Sequence, residues 1–179
     1  LREVLTRLPA KIPPIVIVQH IPAEFSKAFA DRMNSLCAFP VREAVDGEIV
    51  HSSQCLIAPG GRQLELVRAF TGDLKVRLTD GPPVNRHKPS VDFLFDSVAK
   101  NCGRRAIGVI LTGMGNDGAK GLLAMKNAGA ATIGQDEASS IVYGMPRAAA
   151  ELGAVETQVT LLKIPELVLA KSTLKHKAS

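Results

Sequence analysis

The sequence predicts an α/β fold: a doubly wound, mostly parallel sheet flanked by helices, with a β-hairpin insertion. Three observations carry this. Short apolar runs alternate with stretches of helical periodicity along the chain. Two of those runs, 15–19 and 107–111, lack the in-out alternation of a one-sided sheet and read as strands buried on both faces. Only the segment from 63 to 79 shows apolar-polar alternation on both sides of a turn.

Each element follows from local pattern. Leu1, Val4, Leu5 and Leu8 fall at i, i+3, i+4 and i+7, so the chain opens inside an amphipathic helix, with no capping residue before it. Pro13 and Pro14 introduce the strand over 15–19, which ends on His20. Pro22, suited to a first helical turn, starts a helix with a predicted inner face of Phe25, Phe29, Met33 and Leu36. Residues 55–58 form a short strand and Gly60-Gly61 a turn. Leu64 and Leu66, then 75–79, alternate as the two arms of the hairpin. A loop over 80–89 holds Pro82-Pro83 and Asn85-Arg86-His87-Lys88. Ser90 caps a helix that turns Val91, Leu94, Phe95 and Val98 inward. The strand over 107–111 breaks into a glycine-rich turn around Asp117, and a helix with Leu122, Leu123 and Met125 runs to about Gly129. A strand over 131–134, a polar loop over 135–140, a short helix from Pro146 and a last helix with Leu167, Val168 and Leu169 complete the order. No repeat or low-complexity linker divides the chain, which predicts one domain over 1–170 and a flexible tail over 171–179.

Composition narrows the function. With 46% hydrophobic and 22% charged residues, the 179-residue chain has the profile of a soluble globule large enough for a proper core. No apolar run approaches the roughly 20 residues needed to cross a bilayer, so no membrane insertion is expected. The start has neither an initiator Met nor a signal-peptide pattern. The three cysteines, Cys37, Cys55 and Cys102, are scattered without C-x-x-C spacing, and the histidines show no ligand spacing. No metal, no cofactor and a reducing cytoplasm are expected. A net charge of +5 admits nucleic acid, but with 4% aromatics and no Trp that partner is not expected. The short clusters Arg86-His87-Lys88 and Arg104-Arg105 read as a solvated face, or as attraction to an acidic protein surface.

The chemistry concentrates at the carboxyl ends of the two buried strands, where parallel sheets bind ligands. His20 offers an imidazole able to shuttle protons near neutral pH. Asp117 reads either as a cap for the helix that follows it or as the carboxylate that orients His20. The glycines around it allow backbone N–H groups near Met114 and Gly115 to face a developing oxyanion. Gly113-x-Gly115-x-x-Gly118 follows a strand as a dinucleotide fingerprint does. A carboxylate in that turn repels a pyrophosphate, which ranks an oxidoreductase low. A His and an Asp make two thirds of a hydrolytic triad. Ser139 and Ser140, the serines nearest this rim, read as polar loop residues because an activated nucleophile needs a strained turn.

Five motifs occur in order: Val18-Gln19-His20-Ile21-Pro22-x-x-Phe25; Ala58-Pro59-Gly60-Gly61; Pro82-Pro83-Val84-Asn85-Arg86-His87; Thr112-Gly113-Met114-Gly115-Asn116-Asp117-Gly118; and 135–146, from Gln135-Asp136-Glu137 to Tyr143-Gly144-Met145-Pro146. Together they resemble the catalytic domain of the chemotaxis protein-glutamate methylesterase (CheB) family. The resemblance implies a serine hydrolase with a Ser-His-Asp triad that hydrolyses glutamyl methyl esters on the cytoplasmic helices of methylated chemoreceptors, with deamidation of receptor glutamines as a second activity. It assigns His20 as general acid/base, Asp117 as its orienting carboxylate and Met114 as a backbone oxyanion donor, with Arg86 and His87 facing the receptor. It also implies a receiver domain in the same polypeptide. Family members carry the nucleophilic serine in a Gly-x-Ser-x-Gly-Gly type turn just before the opening helix, so that strand, turn and serine are expected to be missing from 1–179. The alternatives are a non-catalytic scaffold of the same shape and a small-molecule serine esterase.

Overall fold

The structure, a computed structural model, describes residues 1–177, with side chains described to residue 173. Among the described residues, eight strands and six α-helices follow one another as α1 (Arg2–Leu5), β1 (Ile15–Ile17), α2 (Ala23–Asn34), β2 (Val41–Glu43), β3 (Cys55–Ile57), β4 (Gln63–Arg68), β5 (Leu74–Thr79), α3 (Val91–Cys102), β6 (Ile107–Ile110), α4 (Ala119–Asn127), β7 (Ala131–Gln135), α5 (Met145–Glu151), β8 (Thr157–Val159) and α6 (Ile164–Lys177). The expected parallel, helix-flanked architecture is present, distributed over two sheets. One has the order β1-β3-β2 and the other β6-β7-β8, and every pairing in both is parallel. The hairpin β4-β5 is antiparallel, with Gln63 opposite Thr79 and Arg68 opposite Leu74.

Period-two alternation decides which core each strand side chain joins. On β3, Cys55 and Ile57 enter a cluster with Leu5, Leu8, Ile12, Ala30 and Met33. Leu56 and Ala58 point the other way, toward Leu64, Val76, Leu94, Phe95, Ile110 and Leu122. On the second sheet, Ile133 joins Val4 and Ile164, while Ile110 of β6 faces the larger cluster. Apolar groups thus cover both faces, which is why these strands read as continuous apolar runs. The opening helix joins the two sheets: Val4 packs with Ile133 and Ile164, and Leu5 with Cys55 and Ile57.

Some expectations are corrected. The opening helix is a single turn, although Leu8 is still buried. The inner face of α2 is Ser26, Ala30 and Met33, and Phe25 and Leu36 are exposed. Ser26 draws that side inward: its Oγ donates to Glu43 Oε1 and accepts the Gly60 N–H at 3.0 Å. The chain at Ala23 packs so closely on Gly60 that a Cβ there would lie 2.6 Å from Ala23 Cα. Strands β2 and β8 went unrecognised because three residues with one apolar side chain each carry no periodicity. The open edges of β3 and β7 recruit them. Helix α6 continues through Lys177, so 171–177 of the expected tail is helical, and 178–179 lie outside the described residues.

Candidate active site

His20 stands just past the carboxyl end of β1, where Pro22 turns the chain into α2. Asp117 lies in the turn between β6 and α4. Although 97 residues apart, their side chains meet: His20 Nε2 lies 2.8 Å from Asp117 Oδ2. This contact joins the carboxyl ends of the two sheets. The His20 side chain keeps 22% of its surface in solvent and that of Asp117 keeps none, so the imidazole is reachable and the carboxylate is sealed.

Asp117 is surrounded by donors. Oδ1 accepts from Asn85 Nδ2 at 2.8 Å, Ser90 Oγ at 2.7 Å and the Asp92 N–H at 3.2 Å, and Oδ2 also accepts the Val91 N–H at 2.7 Å. Burial alone would raise this carboxyl's pKa. The hydrogen bonds from His20, Asn85, Ser90 and Val91 outweigh it and hold the group well below the usual carboxylate range. Of the two readings of Asp117, capping of its own helix fails. Gly118, at φ +91°, precedes α4, and among the described residues no side chain caps the start of that helix. Asp117 instead accepts the first two amides of α3, whose N-cap is Ser90 as expected.

Two further groups complete the network and were not recognised as site residues. Asn85 Nδ2 donates to Asp92 Oδ2 at 2.6 Å as well as to Asp117, and the Gly121 N–H donates to Asp92 Oδ1 at 2.6 Å. Asp92 follows a capping serine and so looks like an ordinary acidic first-turn residue. Asn85 sits in a proline-rich loop and looks like a turn residue. Nothing local marks either one as part of a shared polar network.

The 80–89 loop is braced by buried Gln63, whose Nε2 donates to Pro82 O and His87 O, each at 3.1 Å, while its Oε1 accepts the Ser90 N–H at 2.8 Å. Asn85 and Arg86 both take positive φ values, 51° and 68°, to close the tight turn. His87 is thereby laid on His20, with ring centroids 3.7 Å apart and planes within 3°. Burial, then the positive charge that His20 carries when protonated, lower the His87 pKa, and Asp117 partly opposes this. A depression of about 260 Å³ beside the pair is lined by His20, Ile21, Pro22, Arg86, His87, Lys88 and Pro89.

Met114 lies three residues before Asp117, at the exposed tip of the glycine turn, with Gly115 at φ +91°. Gln135 Oε1 accepts the Thr112 N–H at 2.8 Å, and the Gly113 N–H donates to Val142 O at 3.1 Å, which fixes the turn from both sides. The sequence matches the family described as CheB methylesterase over residues 1–168.

This chain belongs to the CheB methylesterase family.

Relatives named protein-glutamate methylesterase/protein-glutamine glutaminase include one from Hahella chejuensis, 57% identical over 169 residues, covering 94% of this chain and 46% of that protein. One from Salmonella typhimurium is 53% identical over 171 residues, covering 96% of this chain and 49% of that protein. The chain thus spans about half the length of the curated relatives it matches. The crystal structure of the Thermotoga maritima CheB methylesterase catalytic domain superimposes with a TM-score of 0.91 at 38% identity, over 94% of this chain and 89% of that one.

Within this CheB fold, the serines of the 135–140 loop serve the scaffold. Ser139 Oγ donates to Asp136 Oδ1 at 2.6 Å and accepts the Leu161 N–H at 2.9 Å, and Ser140 Oγ donates to Asp136 O at 2.7 Å. Ser90 Oγ donates to Asp117 Oδ1, whereas His20 contacts Oδ2. Arg86 and His87, expected to face the receptor, both line the depression beside His20.

Proposed function

We propose that this chain is the catalytic domain of a protein-glutamate methylesterase, hydrolysing glutamyl methyl esters on the cytoplasmic helices of chemoreceptors to glutamate and methanol. The observation that carries the reading is the 2.8 Å contact between a reachable His20 and a sealed Asp117 whose carboxylate is held by four further donors. A carboxylate kept ionised in this way holds one tautomer of the imidazole, with Nε2–H donated to Asp117 and the Nδ1 lone pair left as the base. Nδ1 takes the proton of the nucleophilic serine as its oxygen adds to the ester carbonyl, and the Met114 N–H receives the oxyanion. His20 then passes that proton to the departing methoxide, releasing methanol and leaving an acyl-enzyme. Water gives a proton to His20 as its oxygen adds to the acyl carbonyl, and His20 passes that proton to the departing serine oxygen, which restores the serine and leaves the receptor side chain as a glutamate carboxylate. The same steps on a receptor glutamine release ammonia, in keeping with the second activity in the relatives' names.

In this reading the serine comes from a turn that precedes Leu1 in a longer polypeptide, which also carries a receiver domain and acts in the cytoplasm. The test is methanol release from methylated receptor by the complete polypeptide, with His20→Gln and Asp117→Asn beside it. Loss of nearly all methanol release in His20→Gln is expected. Full activity in that variant would overturn the reading.

A further inference from the structure

Three large apolar side chains stand exposed on the Asp117 turn and the segment bonded to it: Met114 at 81%, Ile141 at 92% and Val142 at 45%. Single exposed apolar residues are ordinary, so their grouping and support carry the argument. Met114 and the Ile141-Val142 pair lie on two segments bonded together. The Gly113 N–H donates to Val142 O, the Met145 N–H donates to Gly113 O at 2.8 Å, and Thr112 Oγ1 both donates to Val142 O at 3.0 Å and accepts the Val142 N–H at 2.9 Å. A Cβ on Gly144 would fall 2.6 Å from Gly113 O and 3.2 Å from Met114 Cα, so the two backbones touch. The apolar patch is therefore held on a braced double segment, three residues from Asp117. The depression beside His20 has the opposite character: Arg86 and Lys88 line it, and among the described residues no acidic one does.

We propose that Met114, Ile141 and Val142 form the docking surface for the apolar face of an amphipathic helix that carries the esterified glutamate, with Arg86 and Lys88 receiving its free carboxylates. The inference rests on the methylesterase reading and names the surface that selects a folded substrate. On a helix, residues three or four apart from the ester lie about 5–6 Å away on the same face. A helix that presents its ester to His20 therefore lays neighbouring side chains on the surrounding rim, as amphipathic helices do in grooves. Charge supports the same occupant. Each ester is a masked glutamate, so a helix bearing several such sites exposes carboxylates wherever they are unesterified. Those carboxylates complement Arg86 and Lys88.

The test uses the complete polypeptide with Ile141→Asp and Ile141→Leu. Methanol release is measured on two substrates: the helical cytoplasmic bundle of a methylated receptor, and a short unstructured peptide with one γ-glutamyl methyl ester. Ile141 is almost fully exposed, so replacing it disturbs no core. Ile141→Asp is expected to raise KM for the helical bundle about tenfold or more, the loss of one well-packed apolar contact, with kcat and the short-peptide rate unchanged. Ile141→Leu should retain wild-type behaviour. An unchanged KM on the bundle overturns the proposal. So does an equal loss on both substrates, which would mean damage to the reaction centre. A gain on both substrates also overturns it, since the patch would then be covered by another part of the same polypeptide. If the wild type releases no methanol from either substrate, the methylesterase reading itself fails.

Discussion

Asp117 caps the helix that begins at Val91, not the helix that follows it in the chain: its Oδ2 accepts the Val91 N–H at 2.7 Å while also lying 2.8 Å from His20 Nε2. One carboxylate thus anchors a helix terminus and contacts the candidate base. Asp117→Asn should damage both. In triad hydrolases the equivalent change lowers kcat by about 10⁴ through the wrong imidazole tautomer. Here it should also cost on the order of 1–3 kcal/mol in stability, because donors now face an amide N–H. Methanol-release kinetics and urea unfolding measured on the same preparation check the two effects together.

The same carboxylate gives stability a defined acid dependence. Its folded pKa lies below the unfolded value, so between the two the unfolded chain binds more protons and stability rises with pH. The contribution is complete above the ordinary Asp pKa of about 3.9 and is lost as pH falls through the depressed folded value. Urea midpoints from neutral pH to roughly pH 3 should fall less steeply in Asp117→Asn than in wild type. Parallel curves would show that other carboxylates dominate acid unfolding.

In the proposed mechanism Asn85 acts on His20 through Asp117, as a positioning residue. Its amide nitrogen serves both buried carboxylates, at 2.6 Å and 2.8 Å, from a left-handed backbone position that Asn tolerates well. Asn85→Ala should lower kcat about tenfold, the value of one charge-assisted hydrogen bond, and leave KM nearly unchanged. Asn85→Asp should be worse, because it sets a third carboxylate against two others. A change confined to KM would contradict the assignment.

His87 should titrate below its ordinary value of 6.5. Its stability contribution has the matching sign. Between its lowered pKa and 6.5 the unfolded chain binds more protons, so stability is complete above 6.5 and falls as pH drops through that window. In His20→Gln the repulsion from a protonated neighbour disappears, and the His87 midpoint should move up toward 6.5. Histidine ring-proton NMR titrations of the two proteins give the comparison. A midpoint that stays in place would mean that burial alone sets it.

Gly118→Ala tests the packing that joins the turn to α3. Gly118 has φ +91°, and a Cβ would lie 2.6 Å from Val91 Cγ1. Strain and overlap together should cost on the order of 1–3 kcal/mol. Because Val91 also donates to Asp117, activity should fall with stability. A wild-type thermal midpoint would show that the turn adapts.

What could be read from sequence was what local pattern encodes. Apolar runs at 15–19 and 107–111, the proline at position 22, the serine cap at 90 and the alternation over 63–79 each express a backbone preference in a few adjacent residues. The ordered motifs identified the family, and with it His20 and Asp117 as partners. The tertiary structure alone decided the rest. Strands β2 and β8 form because a neighbouring edge offers hydrogen bonds, which no three-residue pattern records. The inner face of α2 was set by Glu43 and Gly60, 17 and 34 residues from Ser26. Asp117 cap of a distant helix, the Asn85 bridge between two carboxylates and the stack of His87 on His20 all join groups from separate loops. Their energies come from burial and short-range geometry, and these exist only once both sheets and α3 are in place.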